Sequence, residues 1–260
     1  MMPPDCTTPV SRLAKRGMTF VAALSALGQA QAQLAPPPPP PKTNITINDG
    51  RSLTGWKVPL GDWKLVQTAR PSAGKPKAFT LVPGLGTLVN GNKGRTGNLF
   101  SNFQHGDVRA VIEYMVPKGS NSGVYFQGRY EIQILDSHGK KTLTSKDNGA
   151  IYEHVVNGKG VGGNVPVINA SKAPGEWQKL IVTFRAPRFN ATGKKVENAK
   201  FVKVTLNGQL IHHNVEAPAP TRGSRFKDEK PTGPIMLQGC LLYTSPSPRD
   251  ATLSRMPSSA

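Results

Sequence analysis

Residues 121–137 read NSGVYFQGRYEIQILDS, and this stretch decides the fold. Two apolar-alternating runs, Gly123–Gln127 and Tyr130–Leu135, flank Gly128-Arg129, where a glycine can supply a turn or bulge. Period-two alternation puts Tyr130, Ile132 and Ile134 on one face and Glu131, Gln133 and Leu135 on the other. Tyr125 and Gln127 oppose Val124 and Phe126 in the same way. One face is therefore core. The other carries an acid, two amides and an aromatic ring, the lining that a sugar-sized polar ligand needs. An antiparallel strand pair with one solvated face accounts for the same pattern without a ligand.

The flanking sequence repeats the alternation. Val108, Ala110, Ile112, Tyr114 and Val116 alternate with Arg109, Glu113 and Met115. Leu180, Val182 and Phe184 alternate with Lys179, Thr183 and Arg185, and Val202, Val204 and Leu206 with Lys203 and Thr205. Asn207-Gly208 then predicts a hairpin, because both residues tolerate positive φ. Prolines fall between the runs, and helical periodicity is confined to the first thirty or so residues. The expected fold is all-β, a concanavalin- or lectin-like β-sandwich (jelly roll) of two antiparallel sheets. Gly158-Lys-Gly-Val-Gly-Gly163 lacks the helix and the Lys-Ser/Thr of a phosphate loop and reads as a flexible loop. Trp56, Trp63 and Trp177 read as core. His212 and His213 are adjacent on a strand, face opposite ways and do not make a metal pair.

Both ends read differently from the middle. Arg12, Lys15 and Arg16 precede the apolar run Met18–Leu27, and Ala30-Gln-Ala32 supplies small residues where a signal peptidase reads them. Residues 1–32 are thus an expected signal peptide and 33–42 a Pro-rich linker, with six consecutive prolines at 36–41. Residues 43–239 make one domain of ordinary size. From Cys240 the alternation stops, and residues 240–260 resemble library adapter read in frame. They are expected to be disordered, and the natural protein to continue past Gly239. The two cysteines, Cys6 and Cys240, lie in these ends, so the domain itself has no disulfide or thiolate metal site. Of the +18 net charge, 3 belongs to residues 1–42 and 1 to residues 240–260, which leaves +14 on the domain. That surplus suits anionic partners such as acidic polysaccharide. The basic residues are scattered and no nucleic-acid-binding signature accompanies them, so nucleic acid is not an expected partner. No second apolar stretch follows the leader, so no membrane span is expected in the mature chain.

Six segments in order carry a family resemblance: NDGRSLTGWK (48–57), SNSGVYFQG with YEIQILDS, GAIY (149–152), GEWQKLIVTF (175–184), LNGQLIHHNVE and GPIMLQG (233–239). The chain resembles the secreted bacterial β-sandwich family of 3-keto-disaccharide hydrolases, formerly a domain of unknown function. The family usually follows GPIxLQ with a His-Gly turn and a final strand ending in Arg-Asn-Ile, which Cys240 and the tail replace here. The resemblance implies cleavage of glycosides oxidised to a ketone at C3. The ketone acidifies the C2 proton, so a base removes it, the C1 substituent leaves, and water adds to the enone. Such a site needs a base, a group that stabilises the enolate, and an acid for the leaving oxygen. An ordinary glycosidase needs a matched carboxyl pair, and Glu131 and Asp136 have opposite parity.

Glu131 is the expected base, against a solvated or Arg129-paired carboxylate. His154 is the expected acid or proton shuttle, with His138 flanking the same region; an ordinary loop histidine is the alternative for each. Gln127 and Gln133 are candidates for sugar hydroxyls, Arg129 for an enolate oxygen, and Tyr125 and Tyr152 for stacking on a ring. Asp136 is a further candidate for binding substrate or a metal, against an Asx turn with Ser137. No ligand spacing argues for a metal, and the cofactor is unknown. The expected partner is carbohydrate and the expected location secreted or periplasmic. A non-catalytic carbohydrate-binding module, or an adhesion domain on a Pro-rich stalk, is the alternative to an enzyme. Export predicts a mature protein that begins near Gln33; N-terminal sequencing of the secreted chain checks this, and a retained Met18 contradicts it.

Overall fold

The computed structural model describes residues 44–91 and 94–240, with the backbone alone of residues 243–244 and 253–255. The expected signal peptide and linker lie outside these residues. The strands in chain order are β1 (Asn44–Ile45), β2 (Lys64–Ser72), β3 (Lys75–Val89), β4 (Leu99–His105), β5 (Val108–Met115), β6 (Asn121–Phe126), β7 (Tyr130–Leu135), β8 (His154–Val156) and β9 (Lys159–Val161). They continue with β10 (Gln178–Arg185), β11 (Arg188–Phe189), β12 (Lys195–Glu197), β13 (Ala199–Leu206), β14 (Gln209–Ala217), β15 (Gly233–Leu237), β16 (Tyr243–Thr244) and β17 (Leu253–Arg255).

Two antiparallel sheets form the sandwich. The larger runs β14-β13-β10-β5-β16-β3-β2, with β17 against β5 and β1 against β17; the smaller runs β4-β15-β6-β7. The inward residues of β6 and β7, Val124, Phe126, Tyr130, Ile132 and Ile134, join Ala110, Leu180, Val182, Phe184, Phe201 and Val204 of the larger sheet in one buried cluster. Phe126 stacks on Phe184 with ring centroids 5.2 Å apart, and Phe201 meets both edge-on at 5.7 and 5.3 Å. Such aromatic pairs add roughly 0.5–1.5 kcal/mol each beyond the area they bury. This nucleus ties the two sheets together at the end of β6 where the chain turns. Among the described residues no helix is long and apolar enough to cross a membrane.

Asn207 and Gly208 both take positive φ, 52° and 86°, and join β13 to β14 in the expected hairpin. The same chemistry operates at Asn157 and Gly158, with φ of 51° and 76°. Residues 158–163, expected as a flexible loop, therefore start inside an ordered hairpin, β8–β9, in the register His154↔Val161 to Val156↔Lys159. Trp56 and Trp63 are buried, but Trp177 is partly exposed. His212 is buried and its Nε2 hydrogen-bonds the Gly149 carbonyl at 2.9 Å, a structural role.

The tail also differs from expectation. Residues 240–260 are not wholly unpaired: Cys240 bridges to Arg95, β16 pairs with both β3 and β5, and β17 pairs with β5. Strand β16 thus occupies the slot between β3 and β5. The cause is the open slot itself. Facing edges of β3 and β5 present N–H and C=O groups that a strand between them satisfies.

His105 closes the core at the end of β4. It is fully buried, meets Phe126 and Phe184 edge-on, accepts the Gln127 N–H at Nε2 (3.0 Å), and has Nδ1 2.8 Å from the Gly106 carbonyl. Accepting at Nε2 makes Nδ1 the protonated nitrogen, so the ring is neutral. Burial lowers its pKa from 6.5 to about 4. The folded value lies below the unfolded one, so this contribution is complete above pH 6.5 and is lost as pH falls through 4. The difference corresponds to roughly 3 kcal/mol. Urea unfolding of the wild type and of His105→Asn should show the wild type's advantage over the variant shrinking by roughly 3 kcal/mol from pH 7 to pH 4, a difference in which the titration of Glu131 cancels.

Candidate active site

The register of β6 on β7 sets the site. Tyr125 pairs with Glu131 and Gly123 with Gln133. Alternation then directs Asn121, Tyr125, Glu131 and Gln133 to the outer face of the smaller sheet while Val124 and Ile132 enter the core. These four side chains line a cavity of about 350 Å³. Tyr152, Arg222 and Gly223 enter from beyond β7, and Gln238, Cys240 and Arg95 from beyond β15.

Glu131 is 2% exposed. Burial raises its pKa from 4.5 to about 8, and a hydrogen bond with the Tyr125 side chain offsets part of that rise. Burial in turn raises Tyr125, and the Glu131 carboxyl adds to it, so the phenol holds its proton and donates. Gly123 makes room for the carboxyl, since a Cβ there would sit 2.1 Å from Glu131 Oε1. Gly223 makes room for the phenol, with its would-be Cβ 3.0 Å from the Tyr125 hydroxyl. The backbone around Glu131 is fixed from the next segment: its N–H donates to Thr221 Oγ1 (3.1 Å), and its carbonyl accepts from Tyr152 N–H (3.2 Å). Gln133 Nε2 donates to Asn121 Oδ1 at 3.1 Å, leaving each amide a free end toward the cavity. The arrangement is a buried acid of near-neutral affinity, a phenol, and a ring of amides.

Four expected site residues lie elsewhere. Strand β6 ends at Phe126, one residue earlier than its alternation suggests, so Gln127 and Arg129 belong to the turn and leave the polar face. Gln127, at φ 54°, is fully buried and donates to the carbonyls of His105 (3.2 Å) and Pro231 (2.9 Å). Arg129 is 3% exposed. It donates to the Asp228 carbonyl, to Asp228 Oδ1 (3.2 Å) and to the Gln127 carbonyl (2.9 Å), and lies 4.9 Å over the Phe226 ring. Neither is available to a substrate. Asp136 accepts the Gly119 N–H at 2.9 Å and so holds a residue of the cavity rim without lining the cavity itself. His154 starts β8 and lines a neighbouring cavity of about 230 Å³ that shares the Tyr152 wall. His138 is outside both cavities, with Nδ1 3.4 Å from the Ser171 carbonyl.

Other lining residues escaped the sequence reading. Asn121 shares the parity of Tyr125, so alternation does place it. Arg95, Arg222 and Gly223 come from loops, where no periodicity marks a direction. Cys240, first residue of the expected artefactual tail, is part of the wall. No three His, Cys, Asp or Glu side chains cluster as a metal site requires among the described residues.

The Glu131 carboxyl has a folded pKa above its unfolded value, so its contribution to stability is complete below pH 4.5 and lost as pH rises through 8. Glu131→Gln keeps the shape and cannot ionise. The variant should therefore equal the wild type in stability near pH 4 and exceed it increasingly toward pH 9, by up to roughly 5 kcal/mol. Denaturant unfolding across this range checks the sign.

Comparison with known proteins places this geometry in context. The profile of the 3-keto-alpha-glucoside-1,2-lyase-like domain matches residues 43–240. A crystal structure of a protein provisionally named a glycosyl hydrolase, from Parabacteroides distasonis ATCC 8503, superposes with a TM-score of 0.60 at 20% identity, covering 91% of this chain and 100% of that one. A second from the same organism, similarly named, gives 0.49 at 16% identity, covering 82% and 93%. At 20% identity the first likeness speaks to the fold alone. No curated protein matches the sequence. The profile spans all the strands of both sheets from β1 to β15, with every side chain that lines the cavity, and by that match the chain belongs to the carbohydrate-active family of 3-keto-alpha-glucoside-1,2-lyase-like domains.

Proposed function

We propose that this domain cleaves the glycosidic bond of 3-keto-glycosides by elimination followed by hydration. The observation that carries the reading is Glu131, a buried carboxyl with a pKa of about 8, hydrogen-bonded to Tyr125 in a polar cavity. A carboxylate of ordinary affinity is a weak base for a C–H bond. One raised to about 8 is stronger and still partly ionised at neutral pH.

Glu131 takes the C2 proton, and the C2–H electron pair forms the C2–C3 double bond while the carbonyl pair moves onto O3. Collapse of this enolate restores the C3 ketone, forms the C1–C2 double bond and breaks the C1–O bond. The departing oxygen takes up a proton, which the newly protonated Glu131 can return. Water then adds at C1 and a proton at C2, so the sum is glycoside plus water giving the 3-keto sugar and an alcohol. Burial raises the affinity of the base and the Tyr125 hydrogen bond moderates it, Asn121, Gln133 and Gln238 offer partners to sugar hydroxyls, and Tyr152 offers a ring face. The basic leader and Ala30-Gln-Ala32 support a secreted or periplasmic location for this chemistry.

Glu131→Gln should lower kcat by about 10²–10⁴-fold, the usual range for a general base, with substrate affinity changed far less. In the wild type kcat/KM should climb with pH to a plateau above about 8, because the ionised form of Glu131 is the active one. A 3-keto glycoside should turn over and its unoxidised parent should not. Equal cleavage of the parent, or an unimpaired Glu131→Gln, contradicts the mechanism. Undiminished sugar binding without turnover of any 3-keto substrate marks a binding module instead.

A further inference from the structure

The cavity holds more positive charge than the elimination requires. Two guanidinium side chains line it, and they stand differently. Arg222 is neutralised: its Nη1 donates to Glu153 Oε1 at 3.0 Å. Arg95 makes no ion pair with a carboxylate among the described residues. Its backbone is nonetheless fixed, bridged to Cys240 beside the Thr96 N–H, which donates to the Gly239 carbonyl at 2.8 Å. Among the described residues Glu131 is the one carboxyl in the lining, and at neutral pH it is largely protonated.

The positions of the two arginines also differ. Arg95 and Cys240 extend the β4–β15 ladder past Leu99↔Leu237, whereas Arg222 follows Thr221, which lies against the far side of β7. Strands β15, β6 and β7 separate them, so Arg95 is the cation of one flank of the cavity and Glu131, on β7, belongs to the other. Arg95 is not among the influences on Glu131's proton affinity, which burial and Tyr125 set. An enolate forms next to the base that makes it. A guanidinium at the opposite flank is placed for some other charge.

We infer that Arg95 binds an anionic substituent of the substrate, a carboxylate or a sulfate ester, so that the preferred substrates are acidic 3-keto-glycosides. This rests on the proposed 3-keto-glycoside cleavage for its reaction and not for its recognition. A guanidinium presents a planar fork of donors that matches a carboxylate or sulfate edge, and its charge is constant at all working pH. In a cavity whose own acid is protonated, no carboxylate among the described residues competes for it. The surplus of +14 on residues 43–239 acts in the same direction by raising the local concentration of acidic glycans.

The test uses three 3-keto disaccharides alike except at C6, carrying a hydroxymethyl group, a carboxylate or a sulfate ester, with the charge placed in turn on the keto sugar and on the leaving sugar. In the wild type at least one acidic substrate should exceed the neutral one in kcat/KM by about tenfold or more, the scale of one charge-assisted pair. Which acid wins distinguishes uronate from sulfate recognition. Arg95→Gln should bring the acidic-to-neutral ratio close to one by lowering the acidic value alone, and Arg95→Lys should keep part of it. Raising ionic strength should compress the ratio. Neutral substrate used as fast as every acidic one by the wild type overturns the inference. So does an Arg95→Gln variant that slows all three equally, which is the signature of enolate stabilisation. If no 3-keto substrate turns over, the cleavage reading fails by itself. Calorimetric binding of the unoxidised acidic and neutral disaccharides to wild type and Arg95→Gln then reads the inference directly, with equal affinities counting against it.

Discussion

The contact between Tyr125 and Glu131 across β6 and β7 governs the molecule's outer face. Burying an ionised carboxylate without a partner costs several kcal/mol, so a carboxyl in this position keeps its proton unless something stabilises the charge. Tyr125 supplies one hydrogen bond, and no ion pair with a cation among the described residues adds to it, so the pKa settles near 8. The strain of holding such a group is borne by the opposite face. Val124, Phe126, Tyr130 and Ile132 are wholly buried against the larger sheet and fix the register on which the pair depends. A slip of one residue would send Glu131 into the aromatic nucleus.

Arg129 shows how the fold reaches the site from behind. Its guanidinium grips Asp228 and covers Phe226, while Thr221 holds its main chain twice: Thr221 N–H and Oγ1 both donate to the Arg129 carbonyl, at 2.8 and 2.9 Å. These bonds fasten residues 221–231 along β7, which is what brings Arg222 and Gly223 to the cavity. The ion pair itself is lopsided, with Arg129 buried and Asp228 half exposed, so its attraction is partly screened. The backbone bonds are the firmer part of the clamp. A charged residue inside a turn thus acts as structure where its proximity to the acid suggests chemistry.

Much of this was legible in the sequence, and the pattern of what was not has a physical cause. Alternation alone assigns the all-β sandwich, the core face of β6 and β7, and the outward aim of Tyr125, Glu131 and Gln133. It fails at Gln127 because positive φ there ends the strand one residue early, and a period-two reading carries no information beyond a strand's last pair. Asn157-Gly158 held a hairpin signal equal to that of Asn207-Gly208, hidden by the four glycines between 158 and 163 that suggested a loop. Arg95 and Arg222 were not legible at all. Each is placed by pairing between segments more than 60 residues apart, Arg95 with Cys240 and Arg222 with Glu153, and no local pattern encodes such a meeting.

The cavity is accordingly less a property of one strand pair than of a sheet end. Gln238 is locked to β6 twice, its N–H donating to the Gly123 carbonyl (2.9 Å) and its carbonyl accepting from Ser122 Oγ (2.9 Å). Gly239 follows where a Cβ would stand 2.2 Å from the Thr96 carbonyl oxygen, a distance that only glycine permits. That close approach lets residues 95–97 and 238–240 run side by side past the end of the β4–β15 ladder. Without it Arg95 would have no fixed backbone, and the wall opposite Glu131 would be missing. The acid is therefore set by the best-packed strands of the domain, and the cation facing it by the last few residues that the chain pairs before it leaves the smaller sheet. The chemistry proposed for Glu131 and the recognition proposed for Arg95 are thus held by separate parts of the fold, which lets one change while the other stays.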